Sequence, residues 1–305
     1  MSGTLSGRVN TLLLALMLAV GVAVVAMLAA RGTAGPLDPP SAPASTLPQV
    51  EPRNPIPPVG WNGNFPIVIT QPGSYFLSQN LSPFTTGGID IEASDVTMDL
   101  NGFTIARTGA CCAVNEDGIF TGATLRNAVT IRNGTIDGFF AGVSGTAFVR
   151  SRFEDLTISH SLDEGLDLGS GNLVSRVIVW ANAGGVRITQ QSDNYGGSLT
   201  DSIISRNTGD GVDLLVNNLF IKGCVIDANN GDGLNVGGSF NNIEDSKITG
   251  NVGRGVALNA NRNVLVRNNI DSNSGGSIVD AGAGNIIGPI ELGSGTHPNA
   301  NLGFP

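Results

Sequence analysis

Charge is what this 305-residue chain has least of: Asp, Glu, Lys and Arg make up 13% of it, against about a quarter in an ordinary soluble domain. The charge present leans acidic, 25 acids to 16 bases. Nucleic acid, whose phosphates demand a basic footprint, is thereby excluded as a partner. Histidine is almost missing. His160 and His297 stand far apart, so neither has a companion at metal-ligand spacing. Four methionines, mostly near the N-terminus, supply no soft copper site either. Three cysteines do not make a disulfide framework. Cys224 reads as a small buried side chain, and Cys111–Cys112 as a vicinal pair in a loop, reducible or bonded according to compartment. Aromatics are 5% of the chain, leaving Trp61, Phe139, Phe140, Trp180, Tyr195 and Phe240 as surfaces for sugar stacking. Trp180 should face outward, one coil before Arg206, where a cation–π contact is expected.

Against these shortages stand 43 glycines, about twice the usual share. With interspersed Val, Ile and Asn they predict many short strands joined by tight turns. The first residues are different. Thr11–Ala30 is an uninterrupted low-polarity run after Arg8, longer than a signal-peptide core of roughly 7–15 residues and long enough to span a bilayer. Residues 1–34 read equally as a cleaved signal and as a retained membrane anchor, and either exports the remainder to periplasm, cell surface or medium. That remainder loses Arg8 and Arg31 and no acid, so it carries 14 bases and 25 acids, a net of −11. Residues 35–59 are a proline-rich linker, with nine prolines between Gly35 and Pro58. Residues 60–87 are expected to cap the domain, residues 64–82 (NFPIVITQPGSYFLSQNLS) forming a hairpin or pair of strands. Residues 88–292 form the body and 293–305 a tail.

The body is a repeat. Glycine precedes an aliphatic residue at Gly118, Gly142, Gly165, Gly185, Gly211, Gly233 and Gly255. Two aliphatic ladders keep step with it: Ile136, Ile158, Val179, Ile204, Ile226, Ile248 and Ile270, and, five residues earlier, Ile131, Phe153, Val174, Leu199, Ile221, Ile243 and Leu265. Ile105 and Leu100 extend them by one coil. A period near 22 built from β-branched residues predicts an all-β, single-stranded right-handed parallel β-helix of about eight to nine coils. A fourth column, Asn182, Asn207, Asn229, Asn251 and Asn273, predicts a stacked amide ladder.

The coils GDGV (209–212) and GDGL (231–234), with their Asn-Asn and Ser-x-Ile steps, resemble the right-handed parallel β-helix repeats of the pectate-lyase-like superfamily. Residues 69–105 resemble the opening of a bacterial exported group within it. The resemblance covers about 64–292. It implies the fold, a monomer, and a choice of activities: polysaccharide lyase, epimerase or hydrolase, or periplasmic copper-site assembly. The Asp-Asp with Gly-His-Gly of polygalacturonase-like hydrolases is absent, and so is the Asp-Pro-His of mannuronan epimerases.

Side chains alternate along a strand, so GLDL (165–168), GVRI (185–188) and GVDL (211–214) place Asp167, Arg187 and Asp213 in one outward column, between Ser144 and Asn235. Glu164, Gly184, Asp210, Asp232 and Arg254 form a neighbouring column at the turn. Polysaccharide or cell-wall glycan is the expected partner. Arg187, Asp167 and Asp213 are the candidate catalytic residues, as acid and base in a hydrolase or, by the resemblance, with Arg187 as base or clamp in a lyase. Tyr195 and Asn235 are candidate substrate contacts. Glu164, Asp210 and Asp232 are candidate oxygen ligands for Ca²⁺. The alternatives are a non-catalytic envelope scaffold or carbohydrate-binding module, in which the column is a surface ion-pair ladder and Asp210 and Asp232 are turn residues.

Overall fold

The computed structural model describes residues 53–83, 86–109, 116–191, 196–291 and 300–302. The chain divides into two compact units, Met1–Val50 and Glu51–Pro305. The leader, most of the linker, Cys111, Cys112, Tyr195 and His297 lie outside the described residues. Within those residues no helix is long and apolar enough to cross a membrane.

The aliphatic ladders become stacks of parallel strands. Ile131, Phe153, Val174, Leu199, Ile221, Ile243 and Leu265 face one another from coil to coil. So do Ile136, Ile158, Val179, Ile204, Ile226, Ile248 and Ile270. All of these side chains are fully buried. A third stack runs Val143, Leu166, Val186, Val212, Leu234 and Val256. Most coils thus contribute two strands to a nineteen-stranded sheet and one to a ten-stranded sheet, while Thr130–Asp137 and Arg152–Ser159 each span both positions of the larger sheet. The described residues make about ten turns, in approximate agreement with the eight to nine expected. No coil can cover its own apolar face, so burial of the aliphatic stacks holds neighbouring coils together.

Corners are turned on single residues with left-handed backbone: Asn133, Asp155, Arg176, Asp201, Asp245 and Arg267 at one, His160, Ala181, Arg206, Ala228 and Ser272 at the next. Such a conformation costs a side-chain-bearing residue about 1–2 kcal/mol. Amide ladders beside the corners help to offset it. The backbone N–H of Asn182 donates to Asn207 Oδ1 at 3.0 Å, and the same bond recurs from Asn207 to Asn229, Asn229 to Asn251 and Asn251 to Asn273. Two further ladders went unread in the sequence: Asn241, Asn263 and Asn285, and Ser246, Asn268 and Asn301.

Three local expectations change. Leu100 is buried, but Met98 is the residue opposite Ile131; Leu100 packs beneath Gly134, where an added Cβ would fall 2.3 Å from it. At 64–82 the two expected strands form, but they do not pair with each other as a hairpin. Ile67–Ile69 joins the ten-stranded sheet and Gly73–Leu77 the other, each pairing in parallel with a strand a coil away. Asn54–Ile56, at the end of the linker, pairs with Tyr75–Leu77 and belongs to the first coil.

Candidate functional site

The ten-stranded sheet carries the charged column on its outer face. Register pairs Ser144 with Asp167, Asp167 with Arg187, Arg187 with Asp213 and Asp213 with Asn235. Val186, Ile188, Val212 and Leu214 on the same strands are buried. The outward order read from the sequence is therefore the order in space. The column continues to Phe120 and Asp90. Phe120 is a half-buried aromatic on this face that sequence reasoning missed, although its place after Gly118-Ile119 marks it as outward.

Between Glu164–Leu168, Gly184–Thr189 and Val212–Leu215 lies a cleft of about 280 Å³, at the small end of ligand cavities. Its polar lining is Asp163, Glu164, Arg187, Asp210 and Asp213. The cleft exists because of Gly184. In register with Glu164, this glycine interrupts a turn column that otherwise holds Glu164, Asp210, Asp232 and Arg254. A Cβ at Gly184 would meet Glu164 Cγ at 3.1 Å. Ala183 and Gly209 keep the floor equally low.

Arg187 does not bridge its two neighbours. Its Nε donates to Asp167 Oδ1 at 3.1 Å and its Nη2 to Asp167 Oδ2 at 2.7 Å, while Nη1 donates to Glu164 Oε1. The fork holds Asp167, whose side chain is only 9% exposed, and leaves Asp213 outside it. These bonds raise the Arg187 pKa further above its usual range, so Arg187 is no base. Asp167 has both oxygens committed and is a positioning residue for the guanidinium.

Four carboxyls line the cleft, those of Asp163, Glu164, Asp210 and Asp213. Burial, followed by the adjacent Asp163 carboxyl, pushes Glu164 up to about 7 against the pull of Arg187. Its Oε2 is buried and has no hydrogen-bond donor. Asp213 is raised by burial and by Asp210, and accepts a bond from Asn235 Nδ2 at 3.0 Å. Asp210 is raised by burial, and its Oδ1 accepts the backbone N–H of Asp232 at 2.7 Å. Asn235 is tied on its other side to Asn259 Nδ2 at 2.7 Å.

The Ca²⁺ ligand set does not fit this geometry. Asp232 is paired with Arg254 at 2.7 Å, Asp210 is a turn acceptor, and Glu164 is bonded to a guanidinium. Among the described residues no three His, Cys, Asp or Glu side chains converge as a metal site. Two smaller expectations also shift. Phe139 is core, and Trp180 meets the edge of His160 at 4.8 Å, with His160 bonded to Asp137 at 2.7 Å. Cys224 is buried and free, its thiol pushed up to about 11 by that burial.

Fold and site together define a parallel β-helix with a mixed-charge cleft on one long outer face. Residues 127–288 match the family described as right handed beta helix region, and the chain belongs to that family. Among solved structures, the A-module of the mannuronan C-5 epimerase AlgE4 from Azotobacter vinelandii is similar at 13% identity. The alignment covers 76% of this chain and 82% of that one at a TM-score of 0.38. A likeness of that order carries nothing about activity. No curated protein matches the chain.

Proposed function

We propose that the chain is an exported β-helix protein that binds polysaccharide along the outer face of its ten-stranded sheet, with the Gly184 cleft as the principal subsite. The observation that carries this reading is the cleft itself. It is a solvent-open depression where one side chain is missing from a charged column, lined by carboxyls and an oriented guanidinium. Such groups are hydrogen-bond partners for sugar hydroxyls. From Phe120 to Asn235 the column spans five coil steps, about 24 Å at the usual strand spacing, and Phe120 offers a stacking surface at one end.

Glycosidic hydrolysis is a second reading, favoured by the raised proton affinity of Glu164 across the cleft from Asp213. Glu164, at about 7, is suited to give its proton to the glycosidic oxygen as the C1–O bond breaks. Asp213 would take a proton from the attacking water. Glu164 and Asp210–Asp213 stand two coils apart, about 10 Å between backbones, close to the carboxyl separation of inverting enzymes. A lyase reading loses support, since Arg187 is locked to Asp167 and the calcium set does not converge.

The test is a panel of insoluble and soluble glycans offered to the full chain, read by co-sedimentation, by reducing ends and by absorbance of unsaturated uronates. Binding with or without reducing ends supports the proposal; absence of binding to every glycan refutes it.

A further inference from the structure

The cleft has an imbalance of charge that bears on what sugar it takes. Four carboxyls line it, those of Asp163, Glu164, Asp210 and Asp213, with one guanidinium. That guanidinium is already engaged by two carboxylates, Asp167 and Glu164. A uronate entering the cleft would find no uncommitted cation to receive its carboxylate. It would add a negative charge beside Glu164, Asp210 and Asp213, whose ionisation burial already disfavours. An ammonium group meets the opposite situation. Glu164 Oε2 is buried without a donor, Asp213 receives one described bond, from Asn235, and the Gly184 void gives access to the space between them.

We propose that the cleft selects an amine-bearing sugar: the ammonium group of a 2-amino-2-deoxyhexose unit sits in the void over Gly184, between Glu164 and Asp210–Asp213, and uronates are refused. The inference rests on the glycan-binding reading and narrows it to a substrate class. A proton on Glu164 and a ligand ammonium compete for the same lone pairs. Uptake of the amine therefore weakens as pH falls through the Glu164 titration near 7. The groups facing Glu164 are Asp163 on its own turn, Arg187 on the next strand and, across the void, Asp210 and Asp213. Asp167 follows on its own strand, and Asp117 lies two coils before. All but Arg187 are acidic, so the local field favours a cation whichever of them is protonated.

The experiment is calorimetric titration of the full chain with three probes of equal length: a β-linked glucosamine oligomer, its fully N-acetylated form and an oligogalacturonate. Calcium chloride alone is a fourth arm. The expected result at pH 7.5 is at least tenfold tighter binding of the amine oligomer than of the acetylated one, with no uptake of the uronate. Asp213→Asn and Glu164→Gln should each cut the preference below threefold, and Glu164→Gln should flatten its pH dependence. Asp213 is only half-buried, so its variant keeps the test readable should Glu164→Gln fail to fold. Equal affinity for amine and acetylated oligomers overturns the selectivity while leaving glycan binding intact. Tighter binding of the uronate, or stoichiometric uptake of calcium at these carboxyls, overturns it as well. If no carbohydrate binds, this inference and the proposed function fall together.

Discussion

Arg187 and Asp213 face each other in register on adjacent strands, yet the guanidinium turns back to Asp167 and Glu164 and gives Asp213 no hydrogen bond. That choice of side divides the column into a locked half and an open half. Removing the fork leaves two largely buried carboxyls without their cation. Arg187→Gln is expected to destabilise the fold by about 1–3 kcal/mol, the lower part of the range for a broken buried pair because the arginine is itself partly exposed. Urea unfolding checks this. The double variant Arg187→Gln/Asp167→Asn should recover part of the loss.

Glu164 sets a pH dependence with a definite sign. Its folded pKa of about 7 lies above the ordinary 4.5, so between those values the folded chain holds a proton that the unfolded chain has released. Its contribution is therefore most favourable below about pH 4.5 and is lost as pH rises through 7. The loss should reach about 2–3 kcal/mol at pH 8. Glu164→Gln should remove this slope, so that its urea midpoint exceeds that of the native chain more at pH 8 than at pH 5. An unchanged slope would place the titration elsewhere.

Adjacent glycines should respond differently to one methyl group. At Gly185 an added Cβ would lie 2.1 Å from the backbone oxygen of Gly211, an atom that cannot yield; at Gly184 the nearest atom is Glu164 Cγ, 3.1 Å away on a side chain that can shift. Gly185→Ala should abolish or severely lower folding yield. Gly184→Ala should leave the thermal midpoint within a few degrees and weaken glycan binding at least tenfold. Circular dichroism melts and the same titrations separate the two effects.

The amide ladder should be least replaceable in its middle. Asn229 is fully buried and accepts from both the backbone and side chain of Asn207, while its own Nδ2 donates to Ile204 O and Asn251 Oδ1. Asn229→Ala strands several of these groups and should cost about 2–4 kcal/mol. Asn273→Ala, at the end of the described ladder, should cost less, with both variants compared by urea unfolding.

Much of this was legible in the sequence because aliphatic columns leave little freedom. Once Leu166, Val186 and Val212 point inward, Asp167, Arg187 and Asp213 must point outward in that order. What could not be read is where a long side chain turns. Arg187 has acids on both sides, and only packing decides that Asp167 and Glu164 hold it. The sequence therefore does not show that Glu164 is bonded to a guanidinium or that both Asp167 oxygens are engaged by Arg187. The void itself left a signal in Gly184, the residue without a side chain in a column of charges. That the strands at 64–82 are no hairpin has a different origin. Alternation and a Pro-Gly turn report that strands are present, but not that each pairs with a strand a full coil away.

The most direct test of the account is hydrogen–deuterium exchange of the full chain with and without a saturating glycan from the binding panel. Protection is expected in peptides covering 163–168, 183–189 and 209–215, with none on the outer face of the nineteen-stranded sheet. Protection confined to that other sheet, or to either end of the coil stack, would contradict the assignment of the Gly184 cleft as the site.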